Sequence, residues 1–448
     1  MSTHPSIFHR LSVAGSRGEQ LKQRCPDFPL PRHLLQLFRG NTEAFPGQNL
    51  AIGTWNCSDI DKVKEKLQNN DTVAAAAKIQ SYLEEQNNVP LNIGITGESG
   101  SGKSTFVNVI RGLNSKDDGA APTGCVETTM EVKSYPHPNY PNVIFWDLPG
   151  VGTTNFPADK YLKHVGFERF DFFIIISADR FRENDVKLAL EIKRMQKKFY
   201  FVRSKIDHNL RDERDDQGSE FNEKQTLDRI RTNCIQGLQT QGLEDTNVFL
   251  VSNRKLHLFD FPLLQQTLER ELPAHKRDAL LFAMPNINLE IIQKKKEAFQ
   301  AQIKYFASVS ALIASAPVPG VSVAADAAMM ATTVAQYQVT FGLDDESLQT
   351  LALTAHVSFD DLKAVMTSPL AAQKITKELI IKVISFSVSE VALMAAEEGA
   401  RFIPIFGIPA AMSMSFICTY RALSMFLDML ADDAQRVFRR ALGLDTSV

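Results

Sequence analysis

Leu91-Asn92-Ile93-Gly94-Ile95-Thr96 runs into Gly97-Glu98-Ser99-Gly100-Ser101-Gly102-Lys103-Ser104, and that into an amphipathic stretch from Thr105 to Leu113. Strand, glycine loop and helix are predicted in direct succession. Loop N–H groups in such an arrangement wrap a triphosphate, and the helix turns its positive end toward the same anion. Gly97 and Gly102 permit backbone angles and a close approach that a side chain would block. The spacing puts Lys103 on the outer phosphates and the Ser104 hydroxyl on Mg2+, with Ser99, Gly100, Ser101 and Thr105 completing the cradle. The loop alone leaves ATP and GTP both open.

Working outward, short β-rich apolar stretches recur at Asn142–Trp146, Phe172–Ser177, Phe199–Arg203 and Asn247–Ser252. Polar helical segments separate them, among them Asn184–Lys197 and Glu223–Gln239. With the glycine loop, that alternation predicts an α/β domain of the P-loop (Ras-like) kind, with a parallel-type central sheet covered by helices, over residues 91–278. After Pro285 the strand signals stop. Residues 279–448 are predicted to be helical, broken at Pro317–Gly320, at Gly342, near Pro369 and from Pro404 to Pro409, with a last helix from Tyr420 to Leu442. Helices within 56–90 are predicted to pack with that domain, because an isolated amphipathic pair needs a partner face. Residues 1–55 are rich in Pro, Gly, His and Arg without periodicity and are predicted to be a disordered extension.

Two further elements choose the base. Asp147-Leu148-Pro149-Gly150 closes one strand; its carboxylate can hold Mg2+ through water, and the Gly150 N–H can meet the γ-phosphate. Ser204-Lys205-Ile206-Asp207 closes another. The Asp207 carboxylate can accept from both N1–H and the 2-amino group of guanine, and adenine offers neither. A wrong base would leave that carboxylate unpaired, which discriminates by roughly 10⁴. The Lys205 stem can lie along the purine face. Ser204 stands where Asn or Thr is commoner, and its hydroxyl can still tie the loop. Ser252 and Asn253 close the last strand and could line the base through backbone groups.

Between loop and strand lies Ala121–Thr129, a candidate switch. Thr129 is the favoured Mg2+ ligand in the triphosphate state, with Thr123 and Thr128 as competitors. Val151 stands where many small GTPases carry a water-orienting Gln, so hydrolysis is expected to be slow or completed from elsewhere. Glu98 is a candidate for water positioning or, equally, a carboxylate turned to solvent.

Composition narrows the class. The 448 residues carry a net charge of -3, which gives no field favouring nucleic acid. The five cysteines are scattered and fall in no metal-ligand spacing, as reduced cytosolic thiols do. No apolar leader marks the first residues, and residue 2 is Ser rather than the Gly that N-myristoylation needs.

These motifs resemble the immunity-related GTPases, also called interferon-inducible p47 GTPases. The resemblance rests on GESGSGKSTFVN (97–108), TGCVETTM (123–130), FWDLPG (145–150), FDFFIIIS (170–177), FYFVRSK (199–205) and FGLDD (341–345). APVPG (316–320) and DDAQRV (432–437) point to the branch like interferon-inducible GTPase 5. It covers about residues 59–445 and omits the first 55. It implies a dynamin-like enzyme of cell-autonomous innate defence that hydrolyses GTP slowly with Mg2+ and self-assembles. It also implies a cytoplasmic protein peripherally associated with endomembranes (endoplasmic reticulum, Golgi or vacuole). In that family two GTPase domains meet face to face, and Glu98, Glu127 and Arg180 fall at positions of that contact. The alternative for Arg180 is a surface ion pair. The alternative for the whole chain is a GTP-loaded scaffold with little hydrolysis.

Tyr305–Ala325 and Phe402–Tyr420 carry no charged residue, and each is interrupted by proline and glycine. They admit three arrangements: a buried hairpin in a helical bundle, conditional shallow insertion in one leaflet, or a transmembrane hairpin, which the serines disfavour.

Overall fold

The computed structural model describes residues 57–69, 71–124, 131–149, 166–178, 183–243, 246–314, 321–370, 373–384 and 407–444. The chain divides into two compact units. One draws on Glu85–Ala298, Tyr337–Ala372 and Asp428–Val448, the other on Met1–Glu84, Phe299–Gln336 and Gln373–Leu427. In chain order the first elements are α1 (Cys57–Gln68), α2 (Thr72–Asn87), β1 (Leu91–Thr96), α3 (Lys103–Ile110), β2 (Lys133–Pro136), β3 (Val143–Asp147) and β4 (Phe172–Ser177). There follow α4 (Glu183–Arg194), β5 (Lys198–Arg203), α5 (Ile206–Gln217), α6 (Glu223–Gln239), β6 (Val248–Leu250), α7 (Phe261–Glu271) and α8 (Ala274–Ala283). The helices α9 (Leu289–Ala314), α10 (Val321–Thr340), α11 (Asp345–Ala355), α12 (Phe359–Ala364) and α13 (Gly407–Ala441) come last.

In the first unit the strands form one sheet in the order β2-β3-β1-β4-β5-β6. All neighbours are parallel except β2 and β3. β4 reads FFIIIS and is buried along its whole length, because helices cover both faces of a central parallel strand. Phe173, Ile175 and Phe201 pack with Leu188 and Ile192 of α4 and with Cys234 and Leu238 of α6. The predicted strands are present, β1 and β4 with the predicted ends and β3, β5 and β6 with slightly shifted ones. β2 is the strand that periodicity did not reveal. It is four residues long, only Tyr135 is buried, and it ends in proline, as an edge strand can.

In the second unit Val63 and Leu67 of α1 and Ala75, Ala76, Ile79, Tyr82 and Leu83 of α2 pack with Val309 and Leu312 of α9. The early helices therefore find their partner face in sequence from beyond the sheet, as their amphipathicity requires. The Ser310 hydroxyl meets Ser415 and Thr419 of α13, each at 2.8 Å. α13 begins well before the predicted Tyr420, at Gly407, and runs unbroken to Ala441. Pro409 falls in its first turn, where a missing N–H costs nothing. The expected break at Gly342 separates α10 from α11, and the chain is non-helical near Pro369. Of the expected break from Pro404 to Pro409, Gly407–Pro409 are helical instead, because a proline is tolerated in a first turn, while residues 315–320 and 401–406 lie outside the described residues. Among the described residues no helix is long and apolar enough to cross a membrane.

Candidate functional site

The site forms at the carboxyl ends of the parallel strands, where β1 passes through residues 97–102 into α3. Gly97 has φ 137°, and a Cβ there would stand 2.0 Å from the Ile176 carbonyl oxygen. The loop can lie against β4 only without a side chain at that point. Gly102 precedes α3 with φ 95°. Lys103 is buried, and its Nζ donates to the carbonyls of Gly97 (3.2 Å) and Glu98 (2.9 Å). Its ammonium is thus held inside the curl of the loop. Ser99 and Gly100 are exposed at the rim, Glu98 and Thr105 are half-buried, and Ser101 is buried.

The Ser104 hydroxyl donates to Oδ2 of Asp147 at 2.6 Å. Asp147 ends β3 and is 1% exposed. A hydroxyl and a carboxylate side by side are hard oxygen donors of the type Mg2+ takes, with substrate phosphates and water supplying the rest. Among the described residues no group of three or more His, Cys, Asp or Glu could hold a metal unaided.

The base-side elements lie beyond β5 and β6. Ser204 is fully buried, and its Oγ donates to the Ser101 carbonyl at 2.7 Å. Lys205 adopts the left-handed conformation, φ 57°, before α5, and its side chain is exposed. Asp207 stands in the first turn of α5 with 19% of its side chain exposed and Nε2 of His208 3.8 Å away. Ser252 is fully buried and its Oγ accepts from the Arg254 N–H. Asn253 donates from Nδ2 to the Gly102 carbonyl at 3.2 Å. Residues 204 and 253, past the ends of β5 and β6, therefore both meet the glycine loop.

Three supporting residues escaped the sequence reading. Asn108 on α3 makes a two-way pair with the Ala121 backbone, donating at 2.8 Å and accepting at 2.6 Å. Arg111 holds the carbonyls of Gly119 and Pro136. Together they fix the entry to the candidate switch. Arg203 is buried and joins the Ser204 carbonyl to Asn209. A charge ending the apolar run FYFVR was the available signal for it. Tyr135, on the edge strand beside Asp147, has its phenol pushed up to about 12, by burial first and then by that carboxylate.

Thr123 is described and exposed. Glu127, Thr128, Thr129, Gly150, Val151 and Arg180 lie outside the described residues.

A family model described as interferon-inducible GTPase (IIGP) matches residues 57–441. Interferon-inducible GTPase 5 of Rattus norvegicus is 42% identical over 387 residues, 86% of this chain and 83% of that protein. Interferon-gamma-inducible GTPase 10 of Mus musculus is 37% identical over 408 residues, 91% of this chain and 95% of that protein. Interferon-inducible GTPase 1 of Mus musculus is 36% identical over 334 residues, 75% of this chain and 81% of that protein.

Proposed function

This chain belongs to the interferon-inducible GTPase family, and from that premise we propose that it couples slow, Mg2+-dependent GTP hydrolysis to self-assembly through its GTPase domain and to association with intracellular membranes. The observation that carries the reading is the convergence of Lys103, the Ser104–Asp147 pair and Asp207 at the carboxyl ends of the parallel strands.

Lys103 and the N–H groups of residues 98–104 bind the β- and γ-phosphates and bear the charge that develops as the terminal phosphoryl group leaves. Ser104 and Asp147 would hold Mg2+, which, bound with the nucleotide, would offset the negative charge of the phosphates. Asp207 accepts from the guanine edge, and Ser252 and Asn253 close the pocket on the other side. Thr129 and the Gly150 N–H sense the γ-phosphate. Glu98, Glu127 and Arg180 form the contact with a second copy, which completes the water-positioning apparatus that Val151 does not supply. The apolar segments of the helical unit meet the membrane peripherally.

GTP turnover per molecule, followed against protein concentration, tests this. Specific activity is expected to rise as copies pair, and a concentration-independent rate removes the assembly step. Flotation with liposomes, with and without a non-hydrolysable GTP analogue, tests the membrane step.

A further inference from the structure

The two base-side segments do more than face the base. Their backbones run on side by side past the strand ends, with Val251 N–H on the Arg203 carbonyl (2.8 Å) and Ile206 N–H on the Val251 carbonyl (3.2 Å). Each sends one side chain to the phosphate loop, and the two land on consecutive carbonyls: Ser204 Oγ on Ser101 at 2.7 Å and Asn253 Nδ2 on Gly102 at 3.2 Å. Gly102 O also accepts the Phe106 N–H at 2.9 Å, so both of its lone pairs are engaged. Among the described residues Asn253 Oδ1 has no hydrogen-bond partner, so the Gly102 tether is what sets this side chain. A reversed amide would put oxygen against oxygen.

In a planar trans peptide the C=O of one residue and the N–H of the next point in opposite directions. Holding the Ser101 and Gly102 carbonyls toward the base segments therefore turns the Gly102 and Lys103 N–H groups the other way, out of the helix end. We propose that Asn253 is a positioning residue that aims the Lys103 N–H at the β-phosphate, taking over with Ser204 the tie that a longer amide at position 204 would make alone. The proposal rests on the reading of this site as a guanine-nucleotide site. It gives Asn253 a side-chain role on the phosphates beyond a backbone role at the base.

The test compares GDP with GMP, which share the base and differ in the β-phosphate. Affinities are measured by competition against a fluorescent guanine nucleotide for wild type, Asn253→Ala and the volume-preserving Asn253→Leu. One hydrogen bond's worth of positioning predicts a loss of about five- to tenfold for GDP and GTP with GMP unchanged. Ser204→Asn in the Asn253→Ala background is expected to restore GDP binding. A Cβ on Gly102 would stand 3.9 Å from Ser204 Oγ, within reach of a longer side chain. Equal losses for GDP and GMP, or no loss, overturn the proposal. A wild-type protein that binds no guanine nucleotide overturns the parent reading instead, and the two failures are told apart by the wild-type measurement.

Discussion

Ser104, second residue of α3, donates its hydroxyl to Asp147, last residue of β3, at 2.6 Å. The two belong to different motifs and meet because β1 and β3 are parallel neighbours, with Ile95 level with Asp147. Both strands bring their carboxyl ends to the same side of the sheet, where ligands of open α/β sheets gather.

That pairing predicts a shared metal dependence. Ser104→Ala and Asp147→Asn should each weaken GTP binding in Mg2+ but bind nearly as wild type does in EDTA. Titration of a fluorescent nucleotide with and without metal reads this. An equal loss in both buffers places the pair outside the metal site.

Lys103→Ala should abolish binding of GTP and GDP, because the loop loses the charge it is curled around. Labelled GTP retained as in wild type would show that the phosphates bind elsewhere.

Asp207→Asn should lower GTP affinity by on the order of 10²–10⁴ and admit xanthosine triphosphate, whose edge accepts where guanine donates. Competition between the two nucleotides measures the switch. An unchanged preference for GTP removes Asp207 from the base site.

Gly97→Ala should destabilise the fold rather than only its ligand affinity. The new Cβ would collide with the Ile176 carbonyl at 2.0 Å, and φ is 137°. The cost is expected to exceed about 3 kcal/mol, since β1 and β4 must separate locally. Denaturant unfolding without nucleotide measures it, and a change below 1 kcal/mol (roughly the median for any substitution) counts against the contact.

His137, which follows β2, predicts a pH dependence. Burial first, then Lys295 and Arg111, push its pKa down to about 3, while the Ala283 backbone opposes them. Its Nδ1 accepts from the Asn139 N–H, which requires the neutral ring. Below about pH 6.5 the unfolded chain takes up a proton that the folded one refuses, so this contribution is complete above pH 6.5 and is lost as pH falls toward 3. Asp278 and Asp326, both raised to about 6 chiefly by burial, act in the opposite sense between about pH 4 and 6. The comparison is therefore wild type against His137→Gln. Wild type should lose about 2 kcal/mol relative to the variant between pH 6.5 and 5. Parallel curves would mean that the ring is protonated when folded.

Most of the candidate site was legible because its spacing is local. Gly97, Gly102, Lys103 and Ser104 lie in one short loop and the helix start that follows, Asp147 ends one apolar run, and Asp207 comes soon after another. What was hidden depends on neighbours. β2 carries too few apolar residues to show a period and exists because β3 offers it an edge. Asn108 on α3 and Arg111 just after it look like ordinary polar positions until the chain returns past them at Ala121 and Pro136.

The sequence by itself determined the nucleotide class, the alternation that makes a parallel sheet, and the need of α1 and α2 for a distant partner. These follow from local spacing, residue type and periodicity. Only the tertiary structure decided that Ser204 and Asn253, carried past the ends of two different strands, close on adjacent carbonyls of the glycine loop. It alone also decided that His137 is buried, and that α13 starts at Gly407 with its proline in the first turn. Those outcomes depend on which backbone groups are left to be satisfied once the elements have packed, and no single stretch of chain contains that information.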